Sequence, residues 1–598
     1  MALLHPQLQM PGLNVQLNAQ PKECVISRGL YGFYNALDSQ HLEWGCKAYV
    51  SIPLWSRSRG LFLTIFSGLV THRELLMMRI MNTITEKPNW EGKVFKQDIT
   101  GKWRDEIAQS DEDVTPRMMD WIIKELQWKA ENLESTGYIQ VFDVGVIKSD
   151  IAIPEEVREA LKQAVQPLEN VPTDQKDFHP ASEDQVVDLV HPSLFPVIFG
   201  RTRVLKDRTI GLQDCLSNMG EGDILPAEPC AESWIYGGAA FSKRFQWLPC
   251  EVKLLDDTCQ IESYINNAHP VQHKDLYGVV EKIISRVIPL WNQSLSEIKE
   301  SRIQYESVEY GEHPEPEPEE PEGEDHDEEE FDELHRQWRN SLPLIIPEPG
   351  DFQPPSVWET LDLRKQFPKT KLQVIVKLAN IELNPDNPTY KGGSWHIEGQ
   401  LNERICASAI YYYDCENITD SQLAFRQRGM ADLMDLGYEQ DQHEFLQAVY
   451  GFGDEIDGGS NSDITQDLGA VTCKQGRLLT FPNTVQHRVS PFSLADPSKL
   501  GHRKILALFL VDPHRRVISS ANVPPQREDW GREKAQVVDQ VLSQLPLELQ
   551  NMVESDINPL MTMEEAKEYR LELMKERGLK SEENNSNFEA GNFSLCEH

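Results

Sequence analysis

Four features are scarce in this sequence, and each scarcity removes a class of protein. Paired cysteines are missing: ten cysteines are scattered over 598 residues with no CxxC pair, so neither a zinc ribbon nor a disulfide framework is expected. Basic charge is short. Lys and Arg number 58 against 96 Asp and Glu, for a formal net charge of -38, which repels a phosphate backbone and argues against nucleic-acid binding. Long apolar runs are lacking as well. The most apolar early segment, "GLFLTIFSGLV" from Gly60, is about half of the roughly 20 residues that a membrane-spanning helix needs. Finally, "MALLHPQLQMPGLNVQLN" has no basic head followed by an apolar run, so no secretory leader is expected. Together these absences predict a soluble protein of a reducing compartment, the cytoplasm first and the nucleus second, with no membrane partner.

What is present divides by composition. Hydrophobic residues make up 39% of the chain, enough for a substantial core at this length. Residues 1–70 mix Pro, Gly and aromatics without a sustained period and read as an N-terminal arm. From 71 to 310 the pattern is helix-rich. "THRELLMMRIMNTITE" from Thr71, "DVTPRMMDWIIKELQWKAEN" with Thr115 as N-cap and Pro116 in the first turn, and "IPEEVREALKQAV" all predict helices. Met118, Trp121, Ile122 and Leu126 form a stripe that reads as core. Residues 311–335 carry "EHPEPEPEEPEGEDHDEEEFDEL", whose like charges and prolines predict a solvated, extended linker or insertion.

From 336 to 530 the pattern changes to short β-rich runs: "LQVIVKLANIELN", "SWHIEGQ", "ICASAIYYYD", "SQLAFRQ", "AVTCKQGRLLTFPN", "QHRVSP" and "KILALFLVD". Turn residues separate them, which predicts an antiparallel sandwich or jelly roll. A helical patch is expected within "MADLMDLGYEQDQHEFLQAVYGF". Residues 531–598 return to helix in "REKAQVVDQVLSQLPLELQNMV" and "TMEEAKEYRLELMKERG", with Thr562 and Glu565 as a capping box and Gly578 as the stop. These last helices are expected either to pack on the core or to pair two protomers in a homodimer. The fold class is therefore α+β, with a jelly-roll core, a large helix-rich N-terminal region and C-terminal helices.

The chemistry-bearing pattern lies in "YKGGSWHIEGQLNERICASAIYYYD", where His396 and Glu398 stand two residues apart in a predicted strand and project from one face. Alone, such a pair is ordinarily a surface feature. A third ligand is available in "GRLLTFPNTVQHRVSPF", where a strand and a Pro-Asn turn lead to His487. Two imidazoles and one carboxylate on one face of an ion suit non-haem Fe(II) with open positions. Arg503, sixteen residues beyond His487, stands at the entrance to the next apolar strand, where a guanidinium can grip a carboxylate bidentately. Lys504 faces the other way and is the fallback carboxylate partner. Tyr390 can hydrogen-bond a cosubstrate, although a tyrosine beside a strand is more often packing. Gly392 and Gly393 are expected to let the backbone bend and open space beside the metal, or to form a plain turn. His269 and His273, four apart around Pro270, read as structural, and Arg488 and His502 as peripheral groups. "QHEFLQAVYGF" lacks the second histidine of a zinc-protease helix.

These residues carry two resemblances. His-x-Glu, then "GRLLTFPN" and His-x-Val-x-Pro, then Arg before a closing strand, resembles the double-stranded β-helix core of Fe(II)- and 2-oxoglutarate-dependent dioxygenases. More closely, "DLVHPSLFPVIFGRTRVL", "FQWLPCEV", "SYINNAHP", "IPLWNQSL" and the segment from Tyr390 resemble the fungal family known as domain of unknown function 4246, from about Thr71 to Pro525. The first resemblance implies that His396, Glu398 and His487 hold Fe(II) and that Arg503 holds the distal carboxylate of 2-oxoglutarate. It also implies decarboxylation to succinate coupled to oxidation of an unidentified small-molecule or protein substrate, by hydroxylation or desaturation. One departure stands out: that superfamily usually has Asp where this chain has Glu398. Two other readings stay open, a non-catalytic jelly-roll scaffold for protein partners and a cupin-type metalloenzyme that does not use 2-oxoglutarate.

Overall fold

The computed structural model describes residues 69–227, 242, 244–296, 301–313, 315–319, 328–355, 361–429, 436–438, 442–453, 462–531 and 560–591. Nearly all of the expected N-terminal arm and the predicted helix "REKAQVVDQVLSQLPLELQNMV" lie outside them. Twelve strands are used below: β1 Ile139–Phe142, β2 Val146–Ser149, β3 Val186–Val190, β4 Cys250–Leu254, β5 Cys259–Ile261, β6 Leu372–Leu383, β7 Ile405–Glu416, β8 Ser421–Arg428, β9 Thr465–Cys473, β10 Leu478–Pro482, β11 Gln486–Val489 and β12 Gly501–Val511. The helices are α1 His72–Ile84, α2 Pro116–Thr136, α3 Glu155–Glu169, α4 Lys274–Ser294, α5 Glu328–Asn340 and α6 Met563–Glu589.

The result is a mixed α+β fold built on antiparallel sheet. The large sheet runs β1-β2-β10-β7-β12-β6-β4-β5, with β3 also paired to β6. The small sheet runs β9-β8-β11. Neither strand order closes into a barrel. Strands before position 262 therefore extend the same large sheet as those after 371, so the two spans share one hydrogen-bonded layer.

Strand β6 shows how the sequence dictates the layering. It is apolar at eight of its twelve positions because both of its faces are covered. Val374, Val376 and Leu378 pack with Ile283, Val287 and Trp291 of α4, while Ile375 shares a second core with Phe509 of β12 and with Leu423, Phe425 and Leu468 of the small sheet. Side chains alternate between faces with period 2, so one strand feeds two cores, each fully buried aliphatic side chain contributing about 1.5–3 kcal/mol.

The helix starts follow their caps. Thr71 accepts from the Glu74 amide and Thr115 from the Met118 amide, with Pro116 opening α2 and Gly137, at φ 74°, closing it. Three expectations need correction. The acidic run does not stay extended throughout: from Glu328, past its prolines, it forms α5, where the Phe331 and Trp338 rings flank His335. The predicted patch around 430–452 is helical, among its described residues, only at Phe445–Ala448. Helix α6 begins at the Thr562 cap but runs through Gly578 to Glu589. Nothing lies within 4 Å of a Cβ built on Gly578, so it meets no neighbour that would force a stop. This helix packs on its own chain: Arg570 pairs with Asp177, Arg577 with Glu403, and Asn585 donates to the Trp395 carbonyl.

Candidate metal centre

The segment "SWHIEGQ" is not a regular strand. His396 instead makes one antiparallel bridge to His487 at the start of β11, with paired backbone hydrogen bonds of 3.1 and 3.0 Å. That bridge sets the two imidazoles side by side, their ring centroids 4.3 Å apart. Glu398 then turns its Oε1 to both: 3.8 Å from His396 Nε2 and 3.4 Å from His487 Nε2. One ligand atom from each of the three lies within 4.8 Å of the others.

The backbone around Glu398 is held by a side chain that the sequence reading passed over. Asn483, the Asn of the Pro-Asn turn, accepts from the Glu398 amide at 3.0 Å and donates to the Glu398 carbonyl at 3.0 Å and the Ile405 carbonyl at 3.2 Å. Its amide thus replaces the missing strand partner. Gly392 has a role other than the one expected. Its φ is +90°, and a Cβ there would stand 2.8 Å from the Val489 carbonyl oxygen, so it permits close approach of two backbones rather than opening space at the metal.

Donor chemistry favours an ion. His396 Nδ1 lies 2.8 Å from the Ser394 carbonyl, and only a protonated Nδ1 can donate there, which leaves Nε2 as the ring atom facing Glu398. His487 Nδ1 is buried with no partner, and the Phe481 ring stands 4.7 Å from its imidazole. Burial pushes His487 down to about 4, with the neighbouring His396 acting in the same sense. It is therefore a neutral ligand at pH 7. Burial would also raise Glu398, but hydrogen bonding and charge from both imidazoles hold it well below the usual carboxylate range. For His396, burial acts downward and is outweighed by Glu398, which raises it. Side-chain exposures of 37% for His396, 14% for Glu398 and 3% for His487 mean that the group opens on the His396 side.

Arg503 lies on β12 and is 3% exposed. It points between the sheets, its guanidinium 5.0 Å from the Phe492 ring and 5.6 Å from the Tyr412 ring. Its Nη1 donates to Ser421 Oγ at 2.7 Å, its Nε has no partner, and no carboxylate among the described residues pairs with it. Tyr390 packs its ring 5.3 Å from Phe492, and burial raises its hydroxyl pKa against the pull of the Arg503 charge. Lys504, on the opposite face, is taken by Glu169 at 3.0 Å and Asp414 at 3.5 Å; it is not free to serve as the fallback. His502 pairs with Asp414, and exposed Arg488 stacks on Trp395. His269 and His273 accept backbone amides, as structural histidines do.

A second group of the same residue types was not foreseen: His179, Asp188 and His191, whose candidate ligand atoms also lie within 4.8 Å. His179 Nδ1 is 2.8 Å from Asp188 Oδ2, and Arg570 Nη1 stands 3.6 Å from that same oxygen. His191 Nδ1 accepts the Ser193 amide at 3.2 Å, so the neutral ring carries its proton on Nε2. The spacing Asp-x-x-His in "DLVHP" was the available signal.

Two solved structures are faintly similar. A bsmA homolog from Methylobium petroleophilum PM1 has a TM-score of 0.16 at 11% identity, covering 25% of this chain and 46% of its own. An IDO from Bacillus thuringiensis has a TM-score of 0.22 at 8% identity, covering 64% and 94%. The chain thus spans just under half the length of the first, and both scores are too low to carry an argument. No curated protein matches it in sequence. Residues 116–534 match the family described as protein of unknown function DUF4246, and residues 10–106 match that family's N-terminal domain, so the chain belongs to the DUF4246 family.

Proposed function

We propose that this protein is a non-haem Fe(II)- and 2-oxoglutarate-dependent oxygenase with a jelly-roll core. The observation that carries the reading is the convergence of His396, Glu398 and His487 with both Nε2 atoms directed at one carboxylate oxygen. Two imidazole nitrogens and one carboxylate suit a facial site for Fe(II) better than a closed structural zinc site, which takes four protein ligands. The strand order supports the jelly roll. Counting β6, the His396 segment, β7, β8, β9, β10, β11 and β12 as first to eighth, the large sheet contains sixth-third-eighth-first and the bridged small sheet second-seventh-fourth-fifth. Alternation of this kind between two facing antiparallel sheets is that of a jelly roll.

Arg503 supplies the case for an acid cosubstrate. A guanidinium buried among aromatic rings without a carboxylate is costly, and a bound carboxylate would remove that cost with charge-assisted hydrogen bonds. Ser421 orients the guanidinium, and the Phe492 and Tyr412 rings exclude water from it. When bound, iron and 2-oxoglutarate would together supply an oxidant for an unactivated C–H bond. The chain's own part is to hold the His487 imidazole neutral, keep Glu398 ionised, and leave the His396 side open to a substrate. An anaerobic Fe(II) titration tests the reading. A visible charge-transfer band that appears only with 2-oxoglutarate, and succinate formation on admitting air, are expected. Metal binding without either outcome would leave the cupin-type reading, and no metal binding the scaffold.

A further inference from the structure

Buried cations in this acidic chain are neutralised almost wherever they occur. Arg302 meets Glu125 at 2.7 Å and also Glu74 and Asp143. Arg477 meets Asp150 at 2.7 Å, Arg570 meets Asp177 at 2.6 Å, and Arg516 pairs with Glu251. Lys377, half-buried on the strand that pairs with that of Arg503, breaks this pattern. It interrupts the apolar run between "VIV" and "LA" within "LQVIVKLANIEL".

Register fixes where it points. Lys377 stands opposite Ala507, and Arg503 opposite Ile381. Ile375 and Ala507 belong to the core shared with Phe425 and Phe481, and Ile381 packs with Phe492, Tyr390 and Val489. The period of 2 then puts Lys377 on the same inner face, about 13 Å along the strand from the Arg503 level at 3.3 Å per residue. The Phe481 and Phe425 rings of that core stand 4.7 and 6.4 Å from the His487 imidazole, so this part of the inner face lies beside the cluster. Lys377 is half-buried and makes no hydrogen bond or ion pair among the described residues. Asp188, the carboxylate whose ionisation it favours, gives Oδ2 to His179 and Arg570, while its Oδ1 is buried without a hydrogen-bond partner.

We propose that Lys377 is a second anion-binding group of this site, receiving a carboxylate at the level of the metal, while Arg503 receives one deeper between the sheets. The inference rests on the oxygenase reading for the identity of the deeper anion alone. The carboxylate at Lys377 has two sources: the metal-proximal end of 2-oxoglutarate, or the acid group of a separate substrate, in which case the enzyme oxidises acids.

The test compares the full chain with Lys377→Met, Lys377→Gln and Lys377→Arg, each loaded with Co(II) under nitrogen and assayed for retained metal. One arm titrates 2-oxoglutarate by its effect on the cobalt spectrum. The other follows paramagnetic broadening of propionate protons, which reports an acid held near the metal, without and with saturating 2-oxoglutarate. Loss of a charge-assisted contact predicts about tenfold to a hundredfold weaker binding in the Met and Gln variants, largely restored by Arg. Weakened 2-oxoglutarate alone assigns the contact to the cosubstrate; weakened propionate assigns it to a substrate acid. If both affinities stay at the wild-type value in a variant that keeps its metal, the proposal is overturned. If wild type binds no 2-oxoglutarate, the oxygenase reading fails, and the propionate arm still decides Lys377.

Discussion

Two clusters of two histidines and one carboxylate lie in this molecule, and their differences show why residue type and proximity do not define a metal site. In the first, His396 gives its Nδ1 proton to a carbonyl and keeps Nε2 for an ion. In the second, His191 spends Nδ1 on a backbone amide and so presents a proton rather than a lone pair. Glu398 has no cation other than its imidazoles within ion-pair distance among the described residues, whereas Asp188 has Arg570 beside it. Where a divalent ion would sit, the first cluster offers a carboxylate faced by imidazoles and the second one that an arginine already shares. The first is read as a ligand set, the second as a structural hydrogen-bonded pair.

The sharpest way to break this contrast is to count metal. Co(II) loading should give one tightly held ion per chain. His487→Ala should lose it altogether, while His191→Ala should retain it, as read by elemental analysis after gel filtration; two ions in wild type would defeat the distinction. Next in size is the anion. Arg503→Ala should weaken 2-oxoglutarate about a hundredfold while metal content is unchanged, with Arg503→Lys intermediate because it keeps charge but not the fork. A smaller effect belongs to Asn483. Removing its clamp in Asn483→Ala should lower metal affinity about tenfold to a hundredfold through misplacement of Glu398, measured by competition with a chelator.

The smallest effect sharpens the second cluster. Burial would raise Asp188, but His191 and the hydrogen bond to His179 draw it down to about 2. A carboxyl depressed in the folded state contributes stability that is present above its unfolded value near 4. That contribution is lost as pH falls from about 4 to about 2. Asp188→Asn should therefore cost about 1–2 kcal/mol at pH 6. The gap between the urea midpoints of the two proteins should narrow as pH falls from about 4 to about 2. A gap independent of pH would assign the cost to packing alone.

Much of the site was legible because its determinants are local or periodic. His396, Glu398 and His487 stood out as ligand types flanking turn signals, and Arg503 as a cation opening an apolar strand. Asn483 was invisible as a clamp because its work depends on Glu398, 85 residues away. Lys377 was printed in plain view as the lone cation of β6, but its meaning requires knowing that both faces of that strand are covered. Gly578 misled because glycine marks a helix end only where the backbone needs a left-handed residue, and α6 continues as ordinary helix there.

The sequence by itself determined the strand and helix periods, the helix starts at Thr71, Thr115 and Thr562, and the candidate ligand set, since each follows from side chains within a few residues of one another. Only the tertiary structure decided which of two His-and-carboxylate clusters keeps free lone pairs and which cations go unneutralised. Both depend on what a folded neighbour, distant in sequence, donates to or withholds from a buried polar atom.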